Sequence, residues 1–74
     1  MNQAEFLEEL QDLLQRDDPL SPDLELRDLP EWDSLSMMSI AAFFDSHFNQ
    51  TLTFPDFESF QTVADLLAKA GIEA

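Results

Sequence analysis

At 74 residues the chain has room for one small domain, spanning 1–74, with a modest core, and it is short for an enzyme. Sixteen acidic residues against three basic ones give a net charge of −13, which argues against nucleic acid or anionic membrane as a partner and favours proteins that present basic patches. With no cysteine there is no disulfide framework, no thiolate chemistry and no zinc site of the usual kind, so the fold must rest on packing.

No apolar run approaches the roughly 20 residues that span a bilayer, and the opening Met1-Asn2-Gln3-Ala4-Glu5 lacks the basic region of a secretory signal, so the chain reads as cytoplasmic. A hydrophobic content of 45% is too high for a disordered acidic tail. The acids decorate a folded domain.

In chain order, residues 3 to 16 carry Phe6, Leu7, Leu10, Leu13 and Leu14 at helical spacing, with Glu5, Glu8, Glu9 and Asp12 on the remaining faces. Early acids and a closing Arg16 complement the dipole of a first helix. From Asp17 to Trp32 the prolines Pro19, Pro22 and Pro30 interrupt the pattern, and Leu20, Leu24, Leu26 and Leu29 follow no sustained stripe. A loop of this length has to pack down or have a task. The leucines are expected to pin it across the bundle, with a short helical turn near Pro22 to Leu26.

A second helix is predicted from Ser34 to Phe48. Met37, Ile40, Ala41, Phe44 and Phe48 form its core stripe, while Leu35, Met38 and Ala42 fall almost opposite. That second apolar face is either packed under the loop or open as a contact surface, a use to which methionine is suited. Residues 55 to 60 make at most a short third helix with Pro55 in its first turn. Thr62 as N-cap, Asp65 three residues on, the stripe Val63, Leu66, Leu67 and Ala70, and Gly71 as a stop predict the last helix. The fold class is all-α: a small bundle of three main helices plus one short helix, with a long loop between the first and second.

The junction Glu31-Trp32-Asp33-Ser34-Leu35 is where chemistry could sit. Asp33 can cap the second helix and leave the Ser34 hydroxyl exposed near the positive end of the helix dipole, where a phosphate would be favoured. Asp-Ser before an apolar run is also how many ordinary helices begin. His47 stands about 20 Å from Ser34 along the helix, too far for a catalytic pair, and reads as a surface or capping residue. No metal site is expected, and no site supports an enzyme.

Taken together, the first helix, the proline-punctuated loop, Asp33-Ser34-Leu35, Phe48 closing the second helix, Leu52, the short third helix and Thr62-Val63 opening the fourth resemble an acyl carrier protein over essentially the whole chain. The resemblance implies that Ser34 receives 4′-phosphopantetheine, covalently and from coenzyme A, through a magnesium-using phosphopantetheinyl transferase, with Asp33 helping to present it. The protein would then be a non-catalytic carrier, a phosphoprotein and monomer, holding acyl intermediates as thioesters for partner enzymes of a fatty-acid, polyketide or other specialised pathway. By the same resemblance, Ala41, Phe44, Phe48, Leu52, Phe60 and Leu67 would line an acyl pocket. Six of seven phenylalanines lie between 43 and 60, so a pocket there would be shallow or closed and suited to short or polar cargo, unless the rings are simply core.

Two departures from the fatty-acid type stand out. The second helix has serines (Ser36, Ser39, Ser46) at positions expected to be exposed, where such carriers typically bear acids, with Asp45 the main acid retained, and Trp32 replaces the small residue common before the motif. They point to a specialised carrier whose partners, the loading and processing enzymes, meet Leu35, Met38, Ala42, Asp45 and Trp32 through basic or apolar surfaces. An aminoacyl or peptidyl carrier stays open, although its motif usually has glycines before the serine. So does an unmodified acidic adaptor that binds a partner helix.

Overall fold

The computed structural model describes residues 1–72 and contains four α-helices: α1 (Gln3–Leu13), α2 (Ser34–Phe48), α3 (Phe54–Ser59) and α4 (Val63–Ala70). The all-helical expectation is met. No helix among the described residues is long and apolar enough to cross a membrane.

α1 starts with a reciprocal cap. Asn2 Oδ1 accepts from the Glu5 N–H at 2.8 Å and Glu5 Oε1 accepts from the Asn2 N–H at 3.1 Å, satisfying donors that the first turn leaves open. Its inner stripe buries Phe6 and Leu10 completely, and Leu14 continues it past the helix end. The helix is shorter than the predicted 3 to 16, because Gln15 turns to φ +56°. Arg16 therefore does not close the helix. It lies beyond it and reaches Glu31 at 2.9 Å, while Gln11 Nε2 donates to the carbonyls of Arg16 and Asp17 and holds the turn.

The long loop is pinned as its leucines suggested: Leu20, Leu26 and Leu29 are buried and Leu24 is half-buried. The short turn lies at Leu26–Asp28, not at Pro22 to Leu26. The reason is a competing use of the backbone. The Pro22 and Leu24 carbonyls accept from the Ala64 and Val63 N–H groups at 2.8 and 3.0 Å, and the Leu26 N–H donates to the Gln61 carbonyl at 2.9 Å. The 22–26 segment thus lies alongside the start of α4, bridged at Glu25 and Thr62, and supplies partners to first-turn donors that α4 cannot satisfy itself.

On α2, Ile40, Phe43 and Phe44 are buried, and Met37, Ala41 and Phe48 are half-buried. Phe43 was absent from the predicted stripe. It sits about 60° from Ile40 around the helix, and the face is wide enough to include it because Phe6 of α1 packs among Phe43, Phe44 and Phe48, with centroids 5.9, 6.0 and 6.1 Å away. Ser36, expected at the surface, is instead buried, because its side chain folds back onto the helix cap. α2 ends at Asn49 in the left-handed region, φ 53°.

α3 begins one residue earlier than predicted, with the Thr53 N–H on Asp56 Oδ2 at 2.8 Å. α4 starts and stops where its sequence signals lie: Asp65 Oδ2 accepts from the Gln61 and Thr62 N–H groups at 2.7 and 3.1 Å, and Gly71 closes the helix at φ +79°. The N–H donors of Thr53 and, at α4, of Gln61 and Thr62 hold the carboxyls of Asp56 and Asp65 below their ordinary value.

Candidate functional site at the head of α2

The approach to α2 is fixed from three sides. Leu29 is buried, its carbonyl accepts the Trp32 N–H at 3.0 Å, and the Trp32 ring lies 6.0 Å from that of Phe57. Between them, Glu31 is held by Arg16, whose side chain is only 16% exposed and whose Nε is buried with no hydrogen-bond partner. One of the chain's three cations is thus committed to the loop three residues before Ser34.

Asp33 is the N-cap. Its Oδ1 accepts from the Ser36 N–H at 2.9 Å, while Ser36 Oγ accepts from the Asp33 N–H at 3.0 Å and donates to the Asp33 carbonyl at 2.9 Å. This is a capping box with serine in the place usually taken by Glu or Gln. The cap closes between Asp33 and Ser36 and bypasses Ser34, which is exposed as the first residue of α2. A hydroxyl in that position is open to an incoming enzyme, and the first-turn N–H groups beside it favour a phosphate.

Among the clefts around it, two adjoin one another on the α3 side. The smaller, about 220 Å³, includes Ser34 in its walls together with Met37, Met38, Ala41, Leu52, Phe54 and Phe57. The larger, about 410 Å³, shares Met37, Phe54 and Phe57 and adds Trp32, Phe60, Gln61 and the charged Glu25, Arg27 and Glu58. Of the residues expected around an acyl pocket, Ala41 and Leu52 line the smaller cleft and Phe60 the larger. Phe44 and Leu67 are fully buried in the core, and Phe48 packs on Phe44 at 5.3 Å, so these three line neither. Met37, Phe54 and Phe57, which do line both, are not among the residues expected around the pocket, Met37 being expected in the core stripe of α2. Phe54 carried a signal, a large ring just before a proline and three residues ahead of Phe57.

Of the residues expected to meet partners, Leu35 is 72% and Met38 69% exposed, and Ala42 and Asp45 are exposed as well. Phe54, 63% exposed, joins Met38 at the smaller cleft. Trp32 is half-buried against Phe57. His47 is exposed, its ring 4.6 Å from that of Phe43.

A family model described as the phosphopantetheine attachment site matches residues 4–69. The chain belongs to that family. Its members attach 4′-phosphopantetheine covalently, so the chain is a phosphopantetheine-carrier domain, of a kind typically non-catalytic and itself the substrate of a phosphopantetheinyl transferase. No curated protein and no solved structure matches the chain. The head of α2 fits the group: an exposed hydroxyl at a helix N-terminus accepts a phosphodiester without burying charge, and an apolar cleft begins at the same residue.

Proposed function

We propose that Ser34 is the attachment residue and that the protein carries acyl intermediates between enzymes of a specialised biosynthetic pathway. The observation that carries this is the cap at α2, which spends Asp33 and Ser36 on each other and leaves the Ser34 hydroxyl outside, in a chain whose family attaches phosphopantetheine covalently. In the modification, Ser34 Oγ forms a bond to phosphorus as the pyrophosphate link of coenzyme A breaks, adenosine bisphosphate leaves, and the hydroxyl proton passes to the transferase. Asp33 stands beside the new phosphate. Its carboxylate opposes a second negative charge, so its part is to bind the cation that the transferase brings.

Once bound, the group supplies a thiol that holds acyl chains as thioesters, which this cysteine-free chain lacks on its own side chains. The chain contributes a rigid mount, through the Arg16–Glu31 ion pair and the buried Leu29, and a surface for recognition. Partner enzymes dock on Leu35, Met38 and Ala42, with Asp45 at the far end and Trp32 flanking the attachment point. Because α2 has one acid in fifteen residues, this docking depends more on apolar contact than on charge.

The test is intact mass after incubating the purified apo protein with coenzyme A, magnesium and a broad-specificity phosphopantetheinyl transferase. Wild type should gain one phosphopantetheine and Ser34→Ala none. A folded wild type that gains nothing from several transferases would contradict the reading and leave an acidic adaptor that binds partners through Leu35 and Met38.

A further inference from the structure

The two clefts share Met37, Phe54 and Phe57 in their walls, and the smaller one begins at Ser34. Their chemistry differs. Beyond Ser34, the smaller has only apolar walls. The larger combines three rings in series, Trp32 to Phe57 at 6.0 Å and Phe57 to Phe60 at 5.9 Å, with two carboxylates and one guanidinium.

The guanidinium is already engaged. Arg27 Nε donates to Glu25 at 2.9 Å, and the Arg27 side chain is 84% exposed, so its charge is spent on Glu25 and on water. Glu58 makes no ion pair among the described residues and stands inside the field of a molecule with net charge −13. Aromatic faces also attract cations. A carboxylate entering here would find one partnered arginine and oppose the overall field, while a plain alkyl chain would gain nothing from the charges.

We propose that the cleft of Trp32, Phe57, Phe60 and Glu58 seats the far end of the cargo, and that this end is a protonated amine. The proposal rests on Ser34 as the point of attachment. It places the cargo in an outward groove along α3. On the α2–α4 side Phe44 and Leu67 are fully buried.

The test loads the protein with amide-linked analogues of three acyl coenzymes A, carrying aminohexanoyl, hexanoyl and adipoyl chains of equal carbon number but different ends. Intact mass reports loading separately from seating. Proton–nitrogen NMR then follows the indole N–H of Trp32, the single tryptophan, and the amides of Phe57, Glu58 and Phe60. The aminohexanoyl form should shift these signals relative to the unacylated holo protein, whereas the other two leave them near their starting positions. Glu58→Gln, at an exposed position, should reduce the aminohexanoyl shifts by half or more, as should moderate salt. Equal shifts with the hexanoyl or adipoyl chain, or no shifts from a fully loaded aminohexanoyl form, would overturn the proposal. A protein that gains no mass fails at the earlier step, and this proposal falls with it.

Discussion

α1 and α2 join inner faces of the same kind and turn opposite outer faces to the solvent. α1 carries Glu5, Glu8, Glu9 and Asp12 within eleven residues, and water accounts for that face. α2 carries Asp45 alone among fifteen, and exposes Leu35 and Met38 where solvation gives no reason for them. In so acidic a molecule the nearly uncharged helix is the exception, and it is the one that begins at Ser34. A net charge of −13 opposes the approach of like copies, while the outer face beside Ser34 carries little charge of its own.

The shared inner side carries the largest expected effect. Phe44→Ala should cost about 3–5 kcal/mol, much of the stability of a domain this small, and thermal unfolding by circular dichroism should lose its cooperative transition. On the same helix, Leu35→Ala and Met38→Ala should stay within about 0.5 kcal/mol of wild type, since both side chains are largely in water already. Those two variants should instead slow acyl delivery to a partner enzyme. Equal stability losses on both faces would mean that the outer face of α2 packs in a way its exposure does not show.

Between these extremes lies the clasp ahead of Ser34. Arg16→Met should cost about 1–2 kcal/mol in urea unfolding, more than an exposed ion pair, because Arg16 is mostly buried. Glu31→Gln on top of it should add little, the two groups being one interaction.

The start of α4 offers a smaller effect, resolved by pH. Hydrogen bonds from the Gln61 and Thr62 backbones depress the Asp65 carboxyl below its ordinary 3.8, so its cap contributes fully above that value and is lost as pH falls through the depressed folded value. Asp65→Ala should cost about 1 kcal/mol near neutral pH and flatten that acid limb of the stability curve. Smallest of all should be the effect of salt on docking. Raising sodium chloride from low to moderate should change kcat/KM with a partner by less than about twofold, against the steep fall expected of charge-steered pairs.

Much of this fold was legible because it is local. The α1 stripe, Thr62 with Asp65, and Gly71 each declare themselves within a few residues, and the order of landmarks around Asp33-Ser34-Leu35 pointed to the family. What was not legible depends on distant partners. Arg16 looked like a helix-closing cation because nothing nearby reveals that Glu31, fifteen residues on, receives it. The 22–26 segment gave up its turn to pair with residues 61–64, which only the folded chain brings alongside. Ser36 was an exposed position on the helical wheel, yet its spacing of three from Asp33 was the available clue to the cap. The clefts were hidden for a similar reason: Phe44 and Leu67 fit a pocket or a core equally well in sequence, and packing assigned them to the core while Met37, Phe54 and Phe57 became walls.

The most direct test of the account is to locate the added group within the chain. The sequence contains six serines, and three of them, Ser34, Ser36 and Ser39, lie in the first turns of α2. Fragmentation of the modified protein in a mass spectrometer by electron transfer, which leaves the phosphodiester intact, should place all of the added phosphopantetheine on Ser34. Its appearance on Ser36, the buried half of the cap, or on any other serine would contradict the claim that the cap exists to leave Ser34 free.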